Sequence, residues 1–246
     1  MRLLLTGLER SLIRQSNPDL AGGALVASGI TSALRLDQYL MKIGGFGRRL
    51  GEACPSGDQE AVGRYLFEAL WLSKPQRYEV GGKFRLNECL EAQLDPSAER
   101  VGNCLGLTIL YNVFAGELGL TVKAAHVEEA FGLGPHVFSL LYSGKKVLDI
   151  ENIFPGGFDY KEHSTRGRMN WDNRSLIADI YCSAGNEAFE NGDLKKALGN
   201  YRRALLMNPA FQRANLNRGI TLALLGHEEE AAEIFDATAK ESGFQD

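Results

Sequence analysis

Of the four cysteines in the chain, only Cys104 has neighbours that suggest chemistry. It stands in Val101-Gly102-Asn103-Cys104-Leu105-Gly106-Leu107-Thr108, where a polar Gly-Asn pair leads into a run that reads as a buried helix through Ile109, Leu110, Val113, Phe114 and Leu118. At a helix start, unpaired backbone N–H groups and the positive end of the helix dipole favour thiolate over thiol, one standard way to make a cysteine nucleophilic. Such a nucleophile needs a base, and the base needs a group to orient it. His136 opens a strand-like run directly after Gly134-Pro135, and His126 lies in the strand before it, both at positions that read as accessible. The runs 136–142 and 146–150 flank Ser143-Gly144 and predict a β-hairpin. With an even-numbered loop, His136 and Asp149 share one face. Pairing Phe138 with Asp149 sets His136 on the diagonal, roughly 7–8 Å away, and Glu151, opposite His136 in that register, competes for the orienting role. The expected roles are attack on a carbonyl by Cys104, proton transfer and thiolate pairing by His136, orientation of the imidazole by Asp149, and oxyanion donation from the Cys104 backbone N–H. Asn87, Gln93 and Asn103 are available as a second oxyanion donor.

The remaining candidates carry blander expectations. Cys54, Cys89 and Cys182 form no Cys-x-x-Cys pair and read as reduced, buried or half-buried apolar residues. A metal site from Cys89, Cys104, His126 and His136 matches no zinc spacing, so neither metal nor cofactor is expected. His163 and His227 read as solvated, and Glu228-Glu229-Glu230 as the charged first turn of the final helix.

The elements that must position this set follow from periodicity. Leucines and Ile13 recur at helical spacing up to about residue 15, where Asn17-Pro18 breaks the pattern. A second helical pattern covers about 25–43 and ends at Gly44-Gly45-Phe46-Gly47. Val62, Tyr65, Leu66, Ala69 and Leu70 predict an amphipathic helix over 59–72, with Asp58 as its N-cap. A short helix is expected over 84–93, and Gly119 suits the left-handed residue closing the Cys104 helix. Residues 120–127 then have strand character.

From Ala178 the sequence repeats. Gly185, Gly192, Ala197 and Tyr201 recur 34 residues later as Gly219, Gly226, Ala231 and Phe235, and Pro209 closes the first unit. Small residues where paired helices approach, and large ones where they interlock, at this period resemble tetratricopeptide repeats. Only two repeats are evident, so the preceding domain or a partner chain is expected to cap them.

Composition sets outer bounds. The chain has 246 residues, is 44% hydrophobic and 24% charged, and has a formal net charge of −4. No basic stripe offsets that charge, which argues against nucleic acid or an anionic membrane as the main partner. The early leucine run is broken by Glu9 and Arg10 before it can serve as a signal-peptide core, so a cytoplasmic location is expected.

Gly102-Asn103-Cys104-Leu105 opening a helix, Pro135-His136-Val137-Phe138 opening a strand and Val147-Leu148-Asp149 on the next strand resemble the Cys-His-Asp core of the transglutaminase-like superfamily. The resemblance is closest to a bacterial branch in which that core precedes tetratricopeptide repeats, and Tyr65-Leu66-Phe67-Glu68 and Leu86-Asn87-Glu88-Cys89-Leu90 share in it. It covers roughly 60–160 plus the repeats. The histidine motif departs from the branch in lacking its usual aromatic two residues after the preceding glycine. The resemblance implies an α+β fold with a papain-like core, helices packed on a small antiparallel sheet, followed by an all-α repeat region. The expected divisions are a domain over 1–160 with an N-terminal helical segment, a linker over 161–177 and two repeats over 178–246. The expected function is acyl chemistry on an amide or isopeptide bond through a thioester, with hydrolysis favoured over transfer and a peptide or protein engaged by the repeats. The competing reading is a non-catalytic tetratricopeptide adaptor.

Overall fold

The computed structural model describes residues 3–163 and 167–241. Its elements are α1 (Gly7–Ile13), α2 (Leu20–Ala27), α3 (Ala33–Ala53), α4 (Gln59–Ser73), α5 (Leu86–Leu94), α6 (Cys104–Glu117), β1 (Val122–Val127), β2 (His136–Ser143), β3 (Lys146–Ile150), β4 (Met169–Trp171) and α7 (Asn173–Glu190). The helices α8 (Leu194–Met207), α9 (Gln212–Leu224) and α10 (Glu228–Glu241) follow. The last five residues of the expected repeat region lie outside the described residues.

The strands form one antiparallel sheet in the order β3-β2-β1-β4. The apolar helix α6 packs against it, buried from Leu105 through Ala115. Two polar side chains of α6 fix it to the sheet: Thr108 donates to the Val137 carbonyl at 3.1 Å, and Asn112 donates to the Lys123 carbonyl at 3.0 Å. Asp58 caps α4 as expected, accepting from Ala61 N–H at 2.9 Å, and Gly119 closes α6 with φ +73°.

The helical pattern expected over 25–43 divides differently. The break falls at Ser28-Gly29-Ile30, with Gly29 at φ +94°, and α3 runs through Gly44-Gly45-Phe46-Gly47. Of those glycines, Gly47 leaves room for a neighbour: a Cβ there would sit 2.8 Å from that of Glu117, while Phe46 meets Phe114 edge-on at 4.9 Å. The expected linker 161–177 includes residues that form regular elements. Met169–Trp171 forms the sheet edge beside β1, and Asn173 starts α7 with Asp172 as its N-cap.

α7 to α10 form two helical hairpins. A Cβ on Gly185 would collide with the Tyr201 ring, and one on Gly219 would lie 2.8 Å from the Phe235 ring. The 34-residue recurrence of small and large residues is therefore a steric match across each hairpin. The N-terminal helices cover the outer side of α7. Gly23 lets α2 press on Ile177, Arg203 pairs with buried Glu9 at 2.6 Å, and Asn173 donates to the Pro18 carbonyl at 3.0 Å. Arg174 donates to carbonyls at the ends of both α1 and α8, Ile13 and Gln15 in one, Leu206 and Met207 in the other, satisfying groups that no helix partner reaches. The opening residues thus supply a cap for the first repeat.

Gly23→Val overpacks this contact and is expected to lower the unfolding free energy by about 1–3 kcal/mol. Gly7→Ala, where a Cβ meets nothing within 4 Å, is expected to change it by less than about 0.5 kcal/mol. Urea titration followed by fluorescence of the buried Trp71 and Trp171 measures both. Equal losses would mean that α2 does not press tightly on α7.

Candidate functional site

Cys104 is the first residue of α6, and Asn103 caps the helix by accepting from Gly106 N–H at 3.1 Å. The flanking glycines have a steric reason. A Cβ on either Gly102 or Gly106 would stand 2.6 Å from the Lys83 carbonyl oxygen, and that carbonyl accepts from Asn103 N–H at 2.9 Å. The segment before α5 can cross the start of α6 only because those positions carry no side chain. Behind it lies Cys89, whose burial pushes its thiol up to about 12. Burial likewise pushes Cys182 up to about 12. Both behave as the inert apolar residues expected of them.

His136 starts β2 and is 4% exposed. The Cys104 side chain lies near enough to act on its imidazole, and its Nε2 lies 2.7 Å from Oε2 of Glu151. Glu151 has no exposure, and its Oε1 accepts from Ile153 N–H at 3.2 Å. Burial alone would push His136 down, but the hydrogen bonds and charges of Cys104 and Glu151 outweigh it and raise it to about 9. Burial would raise Glu151, yet its bond to His136 and the nearby His163 imidazole hold it below the ordinary carboxylate value. The structure therefore brings together a thiol, an imidazole that stays protonated past neutrality, and an ionised carboxylate.

Asp149 is not in that chain of contacts. Its two oxygens take a bidentate pair from Arg168, each at 2.7 Å. The hairpin turn is centred on Gly144-Lys145 rather than Ser143-Gly144, with Gly144 at φ +60°, so Leu140 and not Phe138 pairs with Asp149. The shared face is as expected, but each partner shifts by two residues. Continuing the register sets Glu151 diagonal to His136 and carries Asp149 away from it. Glu151 is held by the chain turning back: its N–H donates to the Gly157 carbonyl at 2.8 Å, and Tyr160 N–H donates to the Asp149 carbonyl at 2.9 Å. A Cβ on Gly157 would collide with the Glu151 carbonyl, which explains the glycine at that position. Asn152 completes the turn by donating to Ser139 Oγ at 2.9 Å and to Thr108 Oγ1 at 3.4 Å, tying it to both β2 and α6.

The other histidine expectations change. His126 is buried, not accessible. It stacks on Trp171 at 4.3 Å, and burial, with the charges of Arg213 and His136, pushes it down to about 4. The His163 side chain is 3% exposed and lies against Glu151 rather than in solvent. Among the proposed oxyanion donors, the Gln93 amide already donates to Ser73 Oγ at 2.8 Å, whereas the Asn103 oxygen accepts in the helix cap and leaves its amide nitrogen as the donor. Tyr78, which sequence reasoning passed over, is paired through its backbone with Gly102, and burial with the nearby charges of Cys104 and Glu151 raises its phenol. Phe131, 45% exposed and at φ 57°, stands edge-on to His136 at 5.3 Å. A cleft of about 470 Å³ opens beside Asn103, between Gly81–Arg85 and the Ser183–Glu190 part of α7. Among the described residues, no group of three or more His, Cys, Asp and Glu is set to hold a metal ion, and no helix is long and apolar enough to cross a membrane.

The signs of the shifts give a pH window. His136, raised from 6.5 to about 9, contributes stability that is complete below 6.5 and lost as pH rises through about 9. Glu151, lowered from 4.5, contributes stability that is complete above 4.5 and lost as pH falls through its folded value. Unfolding free energy is expected to fall between pH 6.5 and 9 in the unaltered protein, and Glu151→Gln should flatten that fall. Denaturant titrations across the range check it, and an unchanged slope in the variant would rule the pair out as its source.

Comparison with known proteins bears on the C-terminal part and on relatedness. Residues 182–246 match the tetratricopeptide repeat family, so this part of the chain is a tetratricopeptide repeat region. No solved structure matches the chain. A 58-residue stretch, 24% of this chain and 67% of its relative, is 38% identical to the "Uncharacterized protein MJ0572" of Methanocaldococcus jannaschii, and the chain belongs to the same family as that protein.

Proposed function

We propose that the chain is a cysteine-dependent enzyme of transglutaminase-like type that acts on an amide or isopeptide bond of a peptide or protein. The observation carrying this reading is the 2.7 Å bond between His136 and the buried Glu151 carboxylate, with Cys104 at the start of α6 beside the same imidazole. In the proposed cycle the Cys104 thiolate attacks the carbonyl carbon, and the Cys104 backbone N–H donates to the oxyanion. The C–N bond breaks as His136 passes its proton to the departing amine, leaving a thioester. Water then attacks the thioester, His136 takes its proton, and the carboxylic acid product leaves with Cys104 regenerated. Hydrolysis is favoured over transfer because water is always at hand and no feature marks a site for an acceptor amine. Glu151, in place of Asp149, orients the imidazole in this reading.

Two features support a peptide or protein substrate. The cleft beside Asn103 is walled on one side by α7, the first repeat helix, and tetratricopeptide repeats are generally protein-interaction modules. The same repeat match favours the second reading, an adaptor whose N-terminal part is a scaffold without turnover. The readings differ over one thiol, which must be reactive in the first and is inert in the second.

Iodoacetamide alkylation read by peptide mass separates them. At pH 6.5, Cys104 is expected to label at least about tenfold faster than the half-buried Cys54, and His136→Ala should abolish that advantage. If Cys104 labels no faster than Cys54, the adaptor reading takes its place. Once a cleaved peptide is found by mass-based profiling, Glu151→Gln is expected to lower turnover by about 10²-fold or more, and Asp149→Asn by less than about threefold. The reverse order would restore Asp149 as the orienting acid.

A further inference from the structure

His163 has no role in the cycle above, yet its side chain is packed into the site. The ring stacks on Phe138 at 3.7 Å with planes 6° apart, and Tyr160 meets it edge-on at 4.8 Å. Its buried Nε2 lies 3.2 Å from Oε2 of Glu151, the oxygen His136 holds at 2.7 Å. That approach is off the axis of a full hydrogen bond, and among the described residues Nε2 has no other acceptor. Other charged groups nearby are engaged elsewhere: Arg168 lies over Phe138 but is paired with Asp149, Glu162 accepts from the Tyr160 hydroxyl, and Glu129 accepts from Gly134 N–H. Among the described residues, Glu151, His136 and Tyr160 are the titratable groups that face the ring.

The need for a second imidazole comes from burial. When His136 gives up its proton, Glu151 keeps a full charge with no water to solvate it, and a buried carboxylate without a partner takes up a proton instead. Protonated, it would no longer orient His136. We propose that His163 is a positioning residue whose ring N–H swings onto Oε2 and holds Glu151 ionised and aligned while the His136 proton is on the substrate. This rests on the thiolate–imidazolium reading of Cys104 and His136.

The test uses the full chain with His163→Phe, which keeps the stack on Phe138 but no donor, and His163→Gln, which keeps an N–H donor. Cys104 alkylation is followed from pH 4.5 to 9 by peptide mass, and the His136 ring nitrogens by NMR over the same range. In His163→Phe the acid limb of alkylation is expected to move up by at least about one pH unit, making the rate at pH 5.5 about tenfold lower while that at pH 8 stays within about twofold. His163→Gln should bring the pH 5.5 rate back to within about threefold of the unaltered protein. A limb that does not move, a loss equal at every pH, or a Gln variant no better than Phe overturns the proposal. The NMR readout keeps the two readings distinguishable. Even if Cys104 shows no His136-dependent reactivity, protonation of Glu151 is seen as an inflection in the His136 ring shifts, and His163→Phe must raise its midpoint by about one unit. An inflection that stays in place overturns the role of His163 independently of the chemistry.

Discussion

A carboxylate with no exposure to solvent, that of Glu151, sets conditions that much of the surrounding structure meets. An ion removed from water loses several kcal/mol of solvation unless donors and opposite charge replace it. His136 and the Ile153 N–H supply that replacement directly. They can do so only because the chain turns sharply after β3 and returns along it as far as Tyr160. The turn depends in its own right on Gly157, where a side chain would strike the Glu151 carbonyl, and on Asn152, which bonds both β2 and α6. The charge that makes the imidazole useful and the turn that makes the charge tolerable are therefore one construction.

The helix α6 carries the other half of that construction. Its first residue is Cys104, and one turn later Thr108 bonds the Val137 carbonyl, next in sequence to His136. The distance between thiol and imidazole is thus fixed by a short rigid path through backbone and a buried side chain. Leu107, Ile109, Leu110, Tyr111 and Phe114, all without exposure, anchor the same helix in the main core. A site on the end of a buried helix gains precision that a loop could not give it.

The repeats join this core through shared elements. β4 completes the sheet one residue before the cap of α7, and α1 and α2 pack on the same helix from outside. Arg174 bonds the ends of α1 and α8 together. The first repeat has neighbours on both sides, consistent with the requirement that a short repeat array bury its terminal faces. The pair of half-buried Arg213 with buried Asp179, at 2.5 Å, links α9 to α7 within that array.

Local patterns determined a good part of this protein. Helical spacing located α4, the Asn103-Cys104 boundary marked the start of α6, and the 34-residue recurrence identified the repeats, because caps, amphipathic stripes and helix-pair contacts are written in neighbouring residues. The positions of Cys104 and His136 at the starts of α6 and β2 were legible for the same reason. Side-chain parity in the hairpin was legible too, but its register was not: centring the turn on Gly144-Lys145 moved every partner by two residues and set Glu151 rather than Asp149 against His136. His163 and Gly157 could not be read from sequence, since their neighbours come from a chain reversal with no periodic signal. The sequence by itself determined which elements form and which residues open them. The tertiary structure alone decided which carboxylate is stripped of water and what stands beside it, because burial of a charge depends on contacts between segments that no local pattern encodes.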